Sequence, residues 1–468
     1  MPVKLYKHQE KALNLSKDLD AYAWFLETGT GKTIVSYENI SHLYTQKKIQ
    51  GVIVTAPKTV LRPVWVETLE KYYMNLNHYL FQWIGGMSEN QAQLLEYAYQ
   101  NPYQRLYLFL INIEAFSHKR IFPYVKNFAT KLKTLWIIDE STTIKTPKAI
   151  RTKQIIALSQ LARYRRILTG FPILKSPEDL YSQIQFLGNN LIPYRSFYAF
   201  RNDFCYTRQL DNRVTITTGP KNLTRLQEII APFSIRILKK DCLDLPDKLH
   251  TIRSVEMTAE QSRYYNQMKE QGYVELKKTN KKIFASTLLV QLERLHQIAN
   301  GLLITSGTFI SCEKYSVLAE IIENEIGDRQ FVVWANYIMN IEMIHTSLQD
   351  KNIKTQKIYG NTGVAERTKY IELFVQGKLQ GLVCNPATAM HGLNLVQAST
   401  AIYFSNSFHL EHRIQSEDRL HRIGQHNKVL YIDLLTERTI EARVLSQLQL
   451  KHNIGAQALG DEWESWFN

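Results

Sequence analysis

Residues 26–33 read LETGTGKT, a glycine-rich stretch that closes with Gly31, Lys32 and Thr33. A turn that contains Gly29 and Gly31 lets backbone N–H groups converge on phosphate oxygens. Lys32 can then reach the β- and γ-phosphates, and the Thr33 hydroxyl can ligate magnesium. The stretch therefore predicts a phosphate loop whose nucleotide-binding residues are Thr28, Gly29, Thr30, Gly31, Lys32 and Thr33.

A glycine-rich turn of this kind also arises by chance, so the prediction needs a partner acid. The stretch LWIIDEST (135–142) predicts a buried strand with Asp139 and Glu140 at its carboxyl end, where open α/β sheets bind ligands. Asp139 is predicted to hold magnesium, and Glu140 to orient and deprotonate an attacking water. In isolation, the pair could equally be a solvated acidic turn. Together with the phosphate loop, it favours hydrolysis of ATP.

Apolar runs of strand length recur along the chain, separated by stretches with the pattern of helices. This alternation is typical of doubly wound parallel sheets. One group of runs lies before residue 170 and a second after residue 330, which predicts an α/β fold with two parallel-sheet lobes. The runs are residues 51–57, 106–112, 135–140, 165–170, 330–336, 380–386, 399–406 and 428–435.

The segment between the two groups, residues 175–320, shows few strand signals. Its amphipathic stretches, residues 258–278 and 286–303, predict helices, and Thr258 followed by Gln261 is a helix-capping start. We therefore expect helical insertions on both lobes. The first lobe is predicted over residues 1–235, with an insertion after about 175. The second is predicted over 236–468, with a linker and a helical insertion to about 310.

The composition indicates an ordinary globular protein with a basic surface. Of the 468 residues 44% are hydrophobic, and Lys plus Arg number 57 against 43 Asp plus Glu, a formal net charge of +14. Such an excess favours a polyanionic partner, most simply nucleic acid, although basic proteins without one are common.

The cysteines and the amino end bear on the compartment. The four cysteines are scattered singly, without metal-binding spacing, which fits a reducing environment. The amino end lacks the apolar core of a signal peptide, and no apolar run approaches the length that spans a membrane. We expect a soluble protein of the cytoplasm that makes no contact with a membrane.

A series of motifs in a fixed order gives the sequence a family resemblance. The chain resembles the Swi/Snf family of DNA-translocating ATPases, in helicase superfamily two. The resemblance covers almost the whole chain, and the passage over 233–265, which joins the lobes, is its most specific part. The matching stretches are LYKHQEKAL (5–13), VTAPKTVLRPVWVETLEKY (54–72), LINIEAFS (110–117), DESTTIKTPKA (139–149), LTGFPI (168–173), FSIRILKKDCLDLPDKLHTIRSVEMTAEQSRYY (233–265), KIYGNTGVAERTKYIELFVQGK (357–378), ATAMHGLNLVQASTAIYFSN (387–406) and QSEDRLHRIGQ (415–425).

The resemblance implies two RecA-like lobes and the cofactors ATP and Mg²⁺. It implies that Gln9 reads adenine and that Gly392 belongs to the nucleotide-binding set. Thr169 and Gly170, in LTGFPI, would couple hydrolysis to movement.

The stretch QSEDRLHRIGQ allows two interpretations. On a helix, Arg419 and Arg422 share a face, and Asp418 lies four residues before Arg422 in the order that favours an ion pair. The arginines could therefore serve only Glu417 and Asp418. The resemblance instead implies that both are catalytic fingers for ATP, worth about 10³–10⁵ in rate, with Gln415 placing water or sensing nucleotide.

DNA contacts are predicted on both lobes. The resemblance implies that these contacts are made through phosphates, which makes binding tolerant of sequence and sensitive to salt. Trp65 is a further candidate, although a Trp near a helix start is more often part of the core. The predicted DNA-binding residues are Lys58, Thr59 and Arg62 on the first lobe and Asn385, Thr388 and Asn394 on the second.

The leading hypothesis is a monomeric ATPase motor that is stimulated by double-stranded DNA and moves along it. A helicase that separates strands of DNA or RNA is the first alternative, with single-stranded DNA or RNA as its partner. An ATP-gated binding platform with weak hydrolysis is the second. It is motivated by two departures from the family pattern, DEST for DEAH and Phe171 in LTGFPI. A further departure is SFHLEHR (407–413), which lacks the usual Trp-Asn-Pro.

The ends and the setting of the chain complete these expectations. The acidic and aromatic stretch GDEWESWFN (460–468) either docks on the motor or presents a peptide to a protein partner. The absence of histone-reading modules in 468 residues suggests a bacterial cell or a virus-infected host cell as the setting.

Overall fold

The structure is a computed structural model that describes residues 3–83, 85–211, 214–278, 281–303, 308–391 and 393–461. These residues form two compact units. The first consists of residues 3–244 together with 453–461, and the second of residues 245–452. Each unit contains its own parallel sheet and its own apolar core.

The strands of the first unit are β1 (Ala21–Leu26), β2 (Gly51–Ala56), β3 (His78–Trp83), β4 (Leu106–Asn112), β5 (Thr134–Asp139), β6 (Tyr164–Leu168), β7 (Cys205–Asp211), β8 (Val214–Pro220) and β9 (Ser234–Ile237). Seven of these described strands form one parallel sheet in the order β3-β4-β2-β5-β6-β1-β9. The other two, β7 and β8, form an antiparallel hairpin.

The helices of the first unit connect these strands. They are α1 (Lys7–Ser16), α2 (Lys32–Thr45), α3 (Lys58–Val60), α4 (Glu67–Tyr72), α5 (Glu89–Gln100), α6 (Phe122–Lys131), α7 (Ile150–Ser159), α8 (Leu180–Leu187), α9 (Phe197–Phe204) and α10 (Leu223–Ile230). A π-helical stretch, Leu61–Val66, joins α3 to α4.

Both faces of the first sheet pack against apolar residues. Side chains alternate between the two faces along each strand, so neighbouring residues belong to different clusters. Trp24 and Val52 belong to the apolar cluster on one face. Phe25 and Ile53, their neighbours in the chain, belong to the cluster on the other. This is the doubly wound arrangement that the apolar runs predicted.

The second unit repeats this plan with the strands β10 (Lys248–Val255), β11 (Leu302–Leu303), β12 (Thr308–Phe309), β13 (Phe331–Trp334), β14 (Thr355–Ile358), β15 (Gly381–Cys384), β16 (Thr400–Tyr403) and β17 (Val429–Thr436). Its parallel sheet has the order β10-β17-β16-β13-β15-β14. Its helices are α11 (Ala259–Lys278), α12 (Lys281–Ala299), α13 (Lys314–Glu320), α14 (Ile338–Asp350), α15 (Val364–Val375), α16 (Leu410–Leu420) and α17 (Glu441–Leu459). The end of this final helix, from residue 453, belongs to the first unit together with 460 and 461.

The fold class and all eight predicted strands are confirmed. The predicted cap is also confirmed, since the hydroxyl of Thr258 accepts the N–H of Gln261 at 3.1 Å at the start of α11. Residues 175–320 are less helical than expected, because they contain the β7–β8 hairpin, β9 and β10. Within the described residues, no helix has the length and apolar character needed to cross a membrane.

The division of the chain falls at a different place from the predicted boundary after residue 235. That position lies inside β9, which pairs with β1 at the edge of the first sheet. The first unit continues to Asp244 and also includes residues 453–461. A boundary inside a paired strand would break the sheet, so the unit ends after it.

Candidate functional site

The predicted catalytic residues of the first unit lie at one edge of its sheet. The parallel strands β1, β2, β5 and β6 all end at this edge, where open α/β sheets bind their ligands. The phosphate loop (26–33) overlaps the end of β1, Lys58 comes shortly after β2, Asp139 ends β5, and Thr169 follows β6. The sheet therefore brings together four segments that are remote in sequence.

The phosphate loop requires glycine at two positions. Gly29 and Gly31 have left-handed backbone, with φ of 89° and 90°. A β-carbon on Gly31 would lie 2.1 Å from Nε2 of Gln9, which is the movable end of that side chain, so it is chiefly the left-handed backbone that favours glycine there. Lys32 begins α2 directly after the loop. A glycine-rich loop that runs into a helix amino end is the arrangement that binds phosphate.

Gln9 braces the phosphate loop. Its side-chain carbonyl accepts the N–H of Tyr6 at 3.0 Å, and its amide donates to the carbonyl of Thr30 at 3.1 Å. The Nε2 atom of His8, which sequence reasoning missed, lies 2.9 Å from the same carbonyl. Gln9 thus holds the loop from α1, and its role in reading adenine stays a prediction.

Asp139 is a buried carboxylate near a lysine. Burial raises its pKa, while the positive charge of Lys32 and hydrogen bonds from Trp65 and the N–H of Glu140 pull the pKa down. Lys32 also donates from Nζ to the carbonyl of Leu26 at 3.2 Å. A carboxylate withdrawn from water is stabilised by a cation. Oxygen ligands from Asp139 and Thr33 are therefore the donor set that fits Mg²⁺.

Trp65 belongs to this site and not to a DNA-facing surface. Its indole N–H donates to Oδ2 of Asp139 at 2.9 Å, and its side chain is fully buried. The other carboxylate oxygen accepts the N–H of Glu140 at 3.0 Å. The suggestion that Trp65 contacts DNA is wrong, because the ring packs in the core between α2 and the π-helical stretch.

Glu140 leaves β5 through a strained backbone. Its φ is 51° and its ψ is 59°, the left-handed region that non-glycine residues rarely adopt. The N–H and the hydroxyl of Thr143 both donate to the carbonyl of Glu140, at 3.0 and 2.8 Å, and hold this turn. Strain of this kind concentrates at functional sites.

Ser141, one of the departures from the family pattern, has a buried partner. Its hydroxyl donates to Oε1 of Gln183 at 2.6 Å. The amide of Gln183 donates in turn to the carbonyls of Pro172 and Asp179, each at 2.8 Å. Ser141 and Gln183 are fully buried. The residue after the predicted catalytic pair is thereby joined, through Gln183, to the predicted coupling motif LTGFPI (168–173), which is called the coupling motif below.

The coupling motif also packs directly on the phosphate loop. A β-carbon on Gly170 would lie 3.3 Å from both Cα of Glu27 and the nitrogen of Thr28, so a larger residue would push the two segments apart. Thr169 is buried, and its hydroxyl accepts the N–H of Phe171 at 3.2 Å. Gly170 thus lies against the phosphate loop, while the hydroxyl of Thr169 bonds within its own motif.

The predicted DNA-binding residues of the first unit stand on the element that carries Trp65. Lys58 and Arg62 are exposed and Thr59 is half-buried, at the start of α3 and of the π-helical stretch. This element ends in the buried ring that bonds Asp139. The predicted DNA-binding residues and the indole that bonds Asp139 thus lie on one short segment.

In the second unit, Asn385 and Thr388 are engaged within their own loop. The amide of Asn385 donates to the carbonyl of Asn336 at 2.9 Å, and its side-chain oxygen accepts the N–H of Ala387 at 2.9 Å. The buried hydroxyl of Thr388 donates to the carbonyl of Asn385 at 2.6 Å. Both residues shape the loop, whereas Asn394 is exposed. Gly392 lies outside the described residues.

The stretch QSEDRLHRIGQ departs from the expected helix. The helix α16 ends at Leu420, so Arg419 lies in its last turn and Arg422 lies beyond it. The expectation of one shared helical face is therefore wrong. Burial lowers the pKa of Arg422, which the charge of Asp418 partly offsets. The guanidinium of Arg422 also donates to the carbonyl of Leu393 at 3.4 Å.

Glu417 pairs with a different arginine, Arg413, which sequence reasoning missed. Nε of Arg413 lies 2.7 Å from Oε1 of Glu417, and Lys248 lies 3.1 Å from Oε2. Arg413 also bonds both carboxylate oxygens of Asp433, at 2.6 and 3.0 Å, and stacks 3.6 Å above the ring of Tyr403. This buried network anchors α16 to β17 and β16.

Gln415 lies half-buried on the same helix. Its amide donates to the carboxylate of Glu411 at 3.3 Å. Gln415, Arg419 and Arg422 thus lie in or just after α16, and their action on ATP stays a prediction.

Comparison with known proteins adds two family matches. The model of the SNF2-related domain matches residues 16–302, more than half of the chain, and the model of the helicase conserved C-terminal domain matches residues 313–424. Together the two ranges include most of the motifs described above.

Several curated proteins resemble almost the whole chain. A probable ATP-dependent DNA helicase of Arabidopsis thaliana is 26% identical over 92% of this chain and 39% of its own length. A chromatin structure-remodeling complex subunit of Schizosaccharomyces pombe is 25% identical over 92% of this chain and 37% of its own length. The chain therefore spans about two-fifths of the length of these relatives. Their organisms are eukaryotic, and the expected bacterial or viral setting stays a prediction.

Among solved structures, the chain is similar to a Sulfolobus solfataricus SWI2/SNF2 ATPase core in complex with dsDNA. The two are 23% identical, the match covers 99% of this chain and 95% of the other, and the TM-score is 0.45.

Proposed function

This chain belongs to the SNF2-related family, and from that premise we propose that it hydrolyses ATP, with stimulation by double-stranded DNA, and moves along the duplex. Family membership sets the reaction class, and the residues of the first unit supply the means of hydrolysis. The observation that carries the proposal is the meeting of Lys32, Asp139 and Glu140 at one sheet edge, next to a glycine-rich loop.

Each of these residues has a distinct task in hydrolysis. Lys32 and the N–H groups of the phosphate loop bind the phosphates of ATP. Thr33 and Asp139 would hold Mg²⁺, which neutralises phosphate charge when it is bound with ATP. Glu140 orients the attacking water and accepts its proton. The left-handed backbone at Glu140 fixes where its carboxylate leaves the strand.

Two arginines complete the proposed chemistry. Negative charge spreads over the γ-phosphate oxygens in the transition state, and positive charge stabilises it there. Arg419 and Arg422 would supply that charge. Gln415 and Arg419 lie on α16, and Arg422 follows just after its end. The carboxylate of Glu417, on the same helix as Arg419, pairs with Arg413 and Lys248.

The segment over residues 58–65 gives a route from DNA to the catalytic site. Lys58, Thr59 and Arg62 would bind DNA phosphates, and Trp65, in the same segment, holds the carboxylate of Asp139. A shift of this segment on DNA binding would move the indole and with it the carboxylate. The position of Trp65 on the same segment as the predicted DNA contacts therefore supports stimulation of hydrolysis by DNA. Of the three predicted DNA-binding residues of the second unit, Asn394 is exposed and suits a phosphate contact. Asn385 and Thr388 instead shape the loop in which they lie.

The platform alternative was motivated by the serine of DEST. In the structure Ser141 has a hydrogen-bonding partner, Gln183, that leads to the coupling motif. A decayed site would be expected to lose Lys32, Glu140 or an arginine, and all of these residues are present. The arrangement therefore favours a working motor.

The proposal is tested by steady-state ATP turnover with and without linear duplex DNA. Turnover is expected to rise with duplex DNA and to vanish in Lys32→Ala and Glu140→Gln. Turnover that is independent of DNA would overturn it. A labelled fork tests the helicase alternative in parallel, since displacement of its strand would favour strand separation over movement on an intact duplex.

A further inference from the structure

The carboxyl-terminal segment, residues 453–461, packs on the coupling motif within the first unit. It forms the last turns of α17 and the two residues beyond. A β-carbon on Gly455 would lie 2.8 Å from the carbonyl oxygen of Ile173, the last residue of LTGFPI. Glycine weakens a helix interior, but without a β-carbon Gly455 allows α17 to approach the backbone of Ile173 closely.

Further contacts fix the segment in place. Ala458 is fully buried and belongs to the same apolar cluster as Ile173 and Ile230. The amide of Gln227 donates to the carbonyl of Gln457. The segment is thus part of the core of the first unit and not a loose end.

The end of α17 turns the chain so that Asp461 reaches Arg236. Gly460 has a φ of 80°, the N–H of Gly460 donates to Gln457 at 3.2 Å, and the N–H of Asp461 donates to Ala456 at 3.0 Å. This pair of bonds is the Schellman arrangement, which uses glycine in the left-handed region to end a helix.

Asp461 and Arg236 form a tight and largely buried ion pair. Nε of Arg236 donates to both carboxylate oxygens, at 3.2 and 3.0 Å, and Nη2 lies 2.9 Å from Oδ2. The side chains of Arg236 and Asp461 are only 14% and 9% exposed. A carboxylate that holds the guanidinium at several points fixes its orientation.

The other N–H groups of Arg236 face the nucleotide-binding edge. Nη1 donates to the carbonyl of Gly170 at 2.6 Å and to that of Phe25 at 3.1 Å. Nη2 lies 3.8 Å from the carboxylate of Glu27, in the phosphate loop. The guanidinium also lies 5.7 Å from the ring centre of Phe171. One arginine thus joins the end of β1, the phosphate loop and the coupling motif.

We propose that Asp461 and Arg236 are positioning residues through which the carboxyl-terminal segment sets the geometry of the coupling motif. Asp461 orients the guanidinium, Arg236 holds the Gly170 carbonyl, and Gly455 seats the helix on Ile173. The motif is thereby held in its middle and at its end. This role rests on the proposed hydrolysis for its effect on turnover, but its effect on the backbone of the motif does not require hydrolysis.

The test compares Asp461→Asn with Asp461→Glu in the full chain. The control is Asp247→Asn, because Asp247 pairs with Lys428 at 2.9 Å in an exposed pair. Two quantities are measured: steady-state ATP turnover with duplex DNA, and amide hydrogen exchange over residues 168–175. The N–H groups of Phe171, Leu174 and Lys175 are hydrogen-bonded in this stretch and report on its order.

In Asp461→Asn we expect kcat to fall by about tenfold and KM for ATP to change by less than about twofold. The reason is that the Asp461–Arg236 pair acts on the backbone of the coupling motif and not directly on ATP. Exchange over 168–175 should become about tenfold faster. Asp461→Glu should recover most of both, and Asp247→Asn should resemble the wild type. A second variant, Gly460→Ala, keeps the carboxylate but strains the turn that delivers it, and should accelerate exchange in the same stretch.

Unchanged turnover and exchange in Asp461→Asn would overturn the proposal, as would equal losses in Asp247→Asn or in the glutamate variant. A wild-type chain without DNA-stimulated turnover would overturn the proposed function instead. The exchange comparison then decides the positioning role by itself.

Discussion

The indole of Trp65 donates a hydrogen bond to the carboxylate of Asp139, a predicted catalytic residue. Trp65 lies on the segment over residues 58–65, which also carries the predicted DNA contacts of the first unit. In Trp65→Phe the new ring fills most of the space but cannot donate the hydrogen bond, so the buried Oδ2 of Asp139 loses a donor. We expect the free energy of unfolding to fall by about 1–3 kcal/mol. We expect kcat with duplex DNA to fall about tenfold, with a folded chain. Steady-state turnover and thermal unfolding measure the two effects.

Trp136→Phe is the matched control, because its indole N–H also donates to a buried oxygen, the Thr55 hydroxyl, at 2.9 Å. Its stability should fall by a similar amount while turnover changes little. Equal losses of turnover in both variants would show that Trp65 acts only through stability.

Ser141 offers a second test at this scale. Ser141→Ala leaves Oε1 of Gln183 without its donor in the core, which is expected to lower the free energy of unfolding by about 1–3 kcal/mol. Because Gln183 also bonds Pro172, we expect less DNA movement per ATP hydrolysed. Chemical unfolding and the ratio of triple-helix displacement to ATP turnover measure these effects.

Ser182→Ala is its control, since the buried hydroxyl of Ser182 has no hydrogen-bond partner among the described residues. Ser182→Ala should leave both quantities near the wild-type values. A normal displacement ratio in Ser141→Ala would contradict a coupling role.

The sequence was informative for residues whose chemistry fixes their spacing. Lys32, Asp139 and Glu140 were identified because a phosphate loop and a strand-end acid occur as motifs. Trp65 and Gln183 were misassigned or missed, because their roles depend on contacts between segments far apart in the chain.

At the scale of elements, buried parallel strands were the easiest to predict, since both of their faces are apolar and they read as continuous runs. The hairpin of β7 and β8 was missed because exposed residues such as Tyr206 and Arg208 interrupt any apolar pattern. The end of α16 was also missed. The spacing of Arg419 and Arg422 suits a helix, but the chain leaves the helix after Leu420.

The network around α16 gives a prediction with a defined pH dependence. Glu417→Gln breaks a buried ion pair with Arg413 and should lower the free energy of unfolding by about 3–5 kcal/mol. Burial raises the pKa of Glu417, but the charges of Lys248, His250 and Arg413 hold this pKa well below the ordinary value of 4.5. A depressed pKa means that the stabilisation is fully present above the ordinary value and is lost as the pH falls towards the depressed one.

The difference in unfolding free energy between the wild type and Glu417→Gln should therefore stay constant from about pH 7 to about pH 5 and shrink below about pH 4.5. Chemical unfolding at a series of pH values measures it. Glu323→Gln, in the exposed pair with Lys351, serves as control and should change stability by less than about 1 kcal/mol. A difference that grew on acidification would contradict the assignment.

At the scale of the whole molecule, the two groups of strands correctly predicted two units. The sequence did not predict that residues 453–461 rejoin the first unit. Packing at Gly455 and pairing at Asp461 leave no local signal, because an isolated glycine and a single acidic residue occur in many structural settings. The first two residues of GDEWESWFN (460–468) dock on the first unit, which was one of the two alternatives for this stretch. Residues 462–468 lie outside the described residues.

The proposed action of Arg422 on ATP is tested by Arg422→Ala. We propose that this arginine stabilises the transition state, and we therefore expect turnover to be lost, by about 10³-fold or more, while ATP binding and folding persist. Arg253→Ala, which removes an exposed arginine paired with Glu325, should keep full turnover. ATP affinity, unfolding and turnover measured on both variants separate the cases. Loss of folding in Arg422→Ala would indicate a structural role.

Movement along intact duplex DNA is the central proposal, and displacement of the third strand from a triple helix tests it most directly. We expect the wild-type chain to displace the third strand only with ATP, to leave the duplex paired, and to lose the activity in Lys32→Ala. ATP hydrolysis with no displacement, or displacement that persists in Lys32→Ala, would contradict it.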